Sequence, residues 1–97
     1  MEKEVKDIVN YRISLAKDNI EVAINCLNSN YYKAAANRIY YAIFAAMRAI
    51  CALDNFDSKK HSGIISYFNS NYLKKHIFQI EFKDIEKAEF IRTRSDY

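Results

Sequence analysis

The sequence predicts an all-α fold, an up-and-down bundle of four helices. The 97-residue chain has no proline and a single glycine, whereas all-β folds need turn residues about every 8–12 positions. From Ile39 to Leu53 every residue except Arg48 is apolar, a run far longer than a strand of about 4–8 residues. Alanine, the best helix former, recurs through this stretch. We therefore expect a central helix over Tyr31 to Leu53 that other helices surround.

Length and charge limit the number of domains and the kinds of partner. A chain of 97 residues, 51% of them hydrophobic, is enough for one core, so we expect residues 1–97 to form one domain. The formal net charge of +3 is mildly basic, which is compatible with an anionic partner but does not identify one.

The segment before the central helix has the spacing of an amphipathic helix. Its apolar residues recur at steps of three and four, and we expect this stripe to pack on the central helix: Val5, Val9, Ile13, Ala16, Ile20, Ala23, Ile24 and Leu27. Asn28, Ser29 and Asn30 then favour a left-handed turn and can cap the next helix. The first two helices should therefore form an antiparallel hairpin.

The second half of the chain predicts two further helices. Asp57 or Ser58 is a plausible N-cap for a short third helix, whose apolar residues are Ile64, Ile65, Phe68 and Tyr72. An irregular connection is expected around residues 70–80. Helical spacing returns from Glu81, and the sequence stops without a helix terminator, which suggests a fifth helix that is missing from this chain.

The fourth helix carries a face on which apolar residues are followed by charged ones. At 100° per residue, its members fall within about a quarter turn: Phe82, Ile85, Glu89, Arg92 and Asp96. In one interpretation Phe90 and Ile91 help to face the core, and the charges form a solvent-exposed ladder of ion pairs. In the other, carboxylates hold Arg92 at a cleft, where it binds phosphate. Spacing alone does not choose between them.

Other side chains are weaker candidates for a functional site. His61 opens the third helix and can donate a proton to a leaving group, although a lone histidine at such a position is more often structural. Arg38 and Arg48 are the only charged residues from Arg38 to Leu53, so they either reach the exposed edge of the central helix or bind an anion.

The sequence offers no pattern for a metal site, a cofactor or a membrane span. Cys26 and Cys51 are the only cysteines, and neither lies in a zinc-ligand spacing, so we expect reduced, buried thiols and no metal or cofactor. The apolar run is shorter than the roughly 20 residues that cross a bilayer, and the N-terminus lacks a signal-peptide core. We expect a cytoplasmic protein without a membrane partner.

Three motifs in order resemble one known family. These are RxYYAxF over 38–44, HSG over 61–63 and RxxxDY over 92–97. Together they are similar to the HEPN domain family, in its small stand-alone prokaryotic branch. The resemblance implies a helical bundle that forms a homodimer, often paired with a nucleotidyltransferase as toxin and antitoxin, and a further helix after Tyr97.

The resemblance also implies site residues. Many HEPN proteins are metal-independent ribonucleases, with an arginine followed four to six residues later by a histidine. Arg92 matches the arginine, Asp96 belongs to the variant pattern of this branch, and Tyr97 stands where the histidine can be. A tyrosine with a pKa of about 10 is a poor acid or base at neutral pH. His61 would then be the substitute acid.

Three functions therefore remain. The favoured one is a dimeric module that binds RNA or a nucleotide through Arg92, Arg48, Arg38 and Tyr97 and works with a nucleotidyltransferase. The second is a ribonuclease toxin with a variant site, in which Arg92 and Asp96 are catalytic and His61 supplies the proton. The third is a structural dimerisation bundle that binds no ligand.

Overall fold

The chain folds as a bundle of α-helices, as predicted. A computed structural model describes residues 2–76 and 81–95. The helices are α1 (Glu2–Asn28), α2 (Tyr32–Leu53), α3 (His61–Phe68) and α4 (Phe82–Ser95), and a π-helical turn over Asn69–Leu73 continues α3. Helix α2 contacts each of the other three α-helices, which confirms the prediction of a central helix.

Helices α1 and α2 form the predicted antiparallel hairpin. Asn30 has a φ of 63°, and the backbone N–H of Tyr31 donates to the Cys26 carbonyl at 2.8 Å, which ends α1 in a left-handed turn. The N-cap position of α2 is Tyr31, without a side-chain capping bond, so the asparagines terminate α1 but do not cap α2. Buried alanines on both helices, including Ala23 and Ala35, allow the close approach.

The core lies between α2, α3 and α4. Its buried members are Tyr40, Phe44, Met47, Cys51, Ile64, Ile65, Phe68, Leu73 and Ile85. Burial raises the pKa of the Cys51 thiol to about 11, so this thiol stays protonated at neutral pH. Of the apolar residues predicted for α3, Ile64, Ile65 and Phe68 are buried in this core, whereas Tyr72 lies in the π-helical turn and is only partly buried. The glycine of α3, Gly63, packs against the preceding loop, where an added Cβ would lie 2.8 Å from the Ser58 Cβ.

The predicted N-cap of the third helix was wrong. Helix α3 begins at His61 with Lys60 at the N-cap position and no side-chain cap, because Asp57 binds arginine side chains and Ser58 accepts a bond from the Lys60 backbone N–H. The connection expected to be irregular starts as the π-helical turn, and residues 77–80 of it lie outside the described residues.

The apolar stripe of α1 is only partly covered. Ala16 and Ala23 are buried, whereas the larger members remain substantially exposed: Ile13, Ile20, Ile24 and Leu27. On α4, Phe90 and Ile91 are exposed, so the interpretation in which they help to face the core was wrong. Ile85 is 2% exposed and packs in the core instead, which turns Glu89 and Arg92 inward toward α2.

Candidate functional site

Arg92 lies on the aromatic face of α2. Its guanidinium carbon is 4.7 Å from the centroid of the Tyr40 ring and 5.9 Å from that of the Tyr41 ring. A guanidinium at these distances is attracted by the negative face of the ring. The two tyrosines therefore hold a partly buried cation against the bundle, and the interpretation of a solvent-exposed ladder of ion pairs does not describe Arg92.

Tyr40 joins this arginine to two other polar side chains. Its hydroxyl oxygen lies 3.2 Å from Nδ1 of His61, and the hydroxyl also hydrogen-bonds the Glu89 carboxylate. Burial, followed by the negative charge of Glu89, raises the pKa of Tyr40 to about 12, although the charge of Arg92 acts in the opposite direction. Tyr40 is consequently a neutral phenol at physiological pH that orients its neighbours and does not itself exchange protons.

His61 takes its position from α3. The ring packs against Phe44, with centroids 4.0 Å apart, and lies edge-on to Tyr41 at 6.2 Å. One ring nitrogen faces Tyr40, and the side chain also borders the groove between α1 and α2. We call Tyr40, His61, Glu89 and Arg92 the tyrosine cluster. It brings together two residues predicted from the sequence, His61 and Arg92, which come from different helices.

A groove rich in arginine runs beside the tyrosine cluster. It has a volume of about 490 Å³, and its lining includes Arg12, Arg38, Arg48, Tyr41 and His61. We call it the arginine groove. The Arg38 guanidinium carbon lies 5.2 Å from the Tyr41 ring centroid, and its Nη1 donates to the Asn19 side chain at 3.1 Å. Arg38 and Arg48, predicted as anion-binding residues, therefore line one cavity.

One carboxylate, Asp57, binds two of the arginines that line this groove. Arg48 donates from Nη2 to both oxygens of Asp57 at 2.9 Å, and Arg12 donates to the same carboxylate at 3.1 Å. Arg12 also donates to the Arg48 carbonyl at 3.1 Å. Partial burial opposes ionisation of Asp57, but the bonds from Arg48 and the Ser58 N–H prevail and hold its pKa below the usual value. Asp57 thus pairs with two of the arginines that line the groove, in the charge-assisted manner in which guanidinium groups bind anions.

Residue patterns alone did not identify Arg12 or Asp57 as part of the site. Arg12 lies 45 residues from Asp57 along the chain, and only the antiparallel packing of α1 and α2 brings the two together. Two predicted site residues, Asp96 and Tyr97, lie outside the described residues. Within residues 2–76 and 81–95, no helix has the length and apolar character needed to cross a membrane, and no group of three or more potential metal ligands converges.

Comparison with known proteins identifies the class to which this helical bundle belongs. The family model described as the HEPN domain matches residues 9–97, so the chain belongs to the HEPN domain family. This confirms the family predicted from the three motifs.

The curated relatives are named in two ways. Two proteins of Methanocaldococcus jannaschii described as candidate toxins are 32% and 29% identical; each match covers 100% of this chain, and 67% and 73% of the respective relatives. A UPF0332 protein of Thermotoga maritima is 31% identical over 73% of this chain and 54% of its own length. No solved structure matches the chain.

Proposed function

We propose that this HEPN protein is an RNA-binding or nucleotide-binding module of a toxin–antitoxin pair. The observation that carries the proposal is the arginine groove, in which three guanidinium groups and His61 line one cavity of about 490 Å³. Guanidinium binds phosphate through two parallel N–H bonds, and Tyr41 adds an aromatic face on which a base can stack. The two relatives described as candidate toxins support placing the chain among toxin-type proteins.

The proposed module is a homodimer that works with a nucleotidyltransferase. The exposed apolar side chains of α1, including Ile20 at 50% and Ile24 at 52% exposure, support association with a second copy. Light scattering should give the mass of a dimer for the purified protein and a lower mass for Ile20→Glu. Co-expression with a nucleotidyltransferase encoded beside the gene should yield a complex, and failure of the two proteins to co-purify would remove that partner from the proposal.

RNA binding is tested by removing one groove arginine. Fluorescence anisotropy with a labelled single-stranded RNA 12-mer should show that Arg38→Ala weakens binding about tenfold, the loss expected for one charge-assisted phosphate contact. Lys17→Ala is the matched control, because Lys17 is an exposed cation about 140° around α1 from Arg12. Equal affinities of the two variants would place the RNA elsewhere.

A second candidate function is metal-independent RNA cleavage, and the contact of both His61 and Arg92 with Tyr40 favours it. In this reaction the ribose 2′-hydroxyl attacks the adjacent phosphorus, the bond from phosphorus to the 5′ oxygen breaks, and a 2′,3′-cyclic phosphate forms. His61, as imidazolium, donates its proton to the leaving 5′ oxygen while the 2′ proton passes to water. Arg92 stabilises the charge that develops on the phosphate, and Asp96 orients Arg92.

Cleavage is tested with the full-length protein in EDTA. If the second candidate is right, RNA is cut to products with cyclic phosphate ends, and Arg92→Ala and His61→Ala each lower the rate about a hundredfold. Lys87→Ala, which removes an exposed cation from the same helix as Arg92, should leave the rate unchanged. RNA that is bound but not cut by the wild-type dimer would leave the binding module as the function.

A further inference from the structure

A second groove adjoins the tyrosine cluster through Glu89 and lies between α3 and α4. It has a volume of about 260 Å³ and is lined by side chains of α3, the π-helical turn and α4. Ile65 and Ile85, 8% and 2% exposed, contribute apolar surface, and Phe82 contributes an aromatic ring. This lining suits a flat, partly apolar ligand.

The charged side chains that line this groove have the opposite sign to those that line the arginine groove. Among the described residues that line it, none is a cation, and the polar ones are Ser62, Ser66, Asn69, Glu86 and Glu89. Two carboxylates repel phosphate but accept hydrogen bonds from N–H groups. An RNA base matches both the apolar and the polar parts of this lining. Its faces are apolar and stack on aromatic rings, and its edge carries hydrogen-bonding groups.

Glu89 and Ser62 connect this groove to the tyrosine cluster. Glu89 lines the groove and hydrogen-bonds Tyr40, and Ser62 directly follows His61 in α3. The arginine groove shares His61 with the same cluster. A single strand that crosses the cluster can therefore place phosphates on the arginine side and one base on the carboxylate side.

We propose that the groove between α3 and α4 binds one RNA base and selects bases that carry an exocyclic amino group. This inference rests on the proposed function, since it assigns base recognition to the RNA that the arginine groove binds. Glu86, exposed at the rim, accepts a hydrogen bond from the amino group, as carboxylates do from N4 of cytosine. Uracil instead presents the carbonyl oxygen O4 at that position, and this oxygen is repelled by a carboxylate.

The experiment compares labelled 12-mers of cytidylate and uridylate, whose bases differ in the group on C4 and in the proton on N3. The wild-type protein should bind the cytidylate strand about tenfold more tightly, the discrimination expected of one well-formed base contact. Glu86→Gln supplies an amide N–H that can donate a hydrogen bond to uracil O4, so the ratio of the two affinities should fall toward one or reverse. Glu21→Gln, which removes an exposed carboxylate on α1, should keep the wild-type ratio.

The ratio of the affinities for the cytidylate and uridylate strands tests base recognition separately from RNA binding. A change of charge alone shifts both affinities together, and it leaves their ratio unchanged. Tight binding of both strands with equal affinity, or a preference that Glu86→Gln does not alter, would overturn base recognition here while RNA binding stands. No binding of either strand would overturn the proposed function itself.

Discussion

Tyr40 organises the candidate site at the scale of single residues. Its ring lies against the guanidinium of Arg92, and its hydroxyl meets both His61 and Glu89. The hydroxyl is a donor to one neighbour and an acceptor from the other, so it fixes the orientation of the imidazole as well as that of the carboxylate. The pKa of about 12 keeps the phenol neutral, and its contribution is therefore one of position.

Replacing this hydroxyl tests its contribution to stability. Tyr40→Phe keeps the ring under Arg92 but leaves His61 and Glu89 without the bond to the phenol, so the free energy of unfolding should fall by about 1–2 kcal/mol. Tyr40→Ala also removes the buried ring and should cost about 3–5 kcal/mol. Urea denaturation at pH 7 measures both values, with Tyr11→Phe as the control on an exposed tyrosine. An unchanged stability of Tyr40→Phe would contradict the bonds assigned to the hydroxyl.

At the scale of secondary-structure elements, side chains of the loop between α2 and α3 connect three helices. Asp57 binds Arg12 of α1 and Arg48 of α2, and Asp54 accepts bonds from two tyrosines, Tyr67 of α3 at 3.1 Å and Tyr72 of the π-helical turn at 2.6 Å. The backbone of the loop thereby holds the opening residue of α3, His61, at the edge of the arginine groove.

The ionised form of Asp57 is the one that stabilises this arrangement. Folding lowers the pKa of Asp57. Its contribution to the free energy of unfolding is therefore fully present above the unfolded pKa of about 3.9, and it is lost as the pH falls through the pKa of the folded state. Asp57 is half exposed, so Asp57→Asn should lower the free energy of unfolding by only about 0.5–1 kcal/mol at pH 7.

The pH dependence separates this charge effect from a packing defect. Urea denaturation should show the difference between Asp57→Asn and the wild type shrinking once the pH is well below about 4. Asp18→Asn, on the exposed surface of α1, should behave as the wild type throughout. A constant difference from pH 7 to pH 2 would show that the carboxylate charge is not responsible.

At the scale of the whole molecule, two grooves of opposite charge each share a residue with the tyrosine cluster, His61 in one and Glu89 in the other. Cations line the groove between α1 and α2, whereas two carboxylates, two hydroxyls and one amide line the groove between α3 and α4. Helix α2 makes this possible because its alanines pack against α1 on one side while Tyr40 and Phe44 face α3 and α4 on another. This arrangement suits a strand that has phosphates on one edge and bases on the other.

The helices and the family could be predicted from the sequence because both depend on local pattern. Residue spacing gives the hairpin and the buried residues of α3, and three motifs give the family. Pairings between distant residues could not be predicted, such as Arg12 with Asp57. The orientation of α4 was also ambiguous, because apolar residues lie on both sides of it. Burial of Ile85 decides the orientation and leaves Phe90 exposed.

The most direct test of the central claim is NMR mapping of the RNA on the wild-type protein. Adding a single-stranded RNA 12-mer should shift the side-chain Nε–H signals of Arg38, Arg48 and Arg92, together with the ring signals of His61. The backbone signals of the first two turns of α1 should stay in place. Shifts confined to the first two turns of α1, or no shifts at a large molar excess of RNA, would contradict the assignment of the arginine groove as the RNA site.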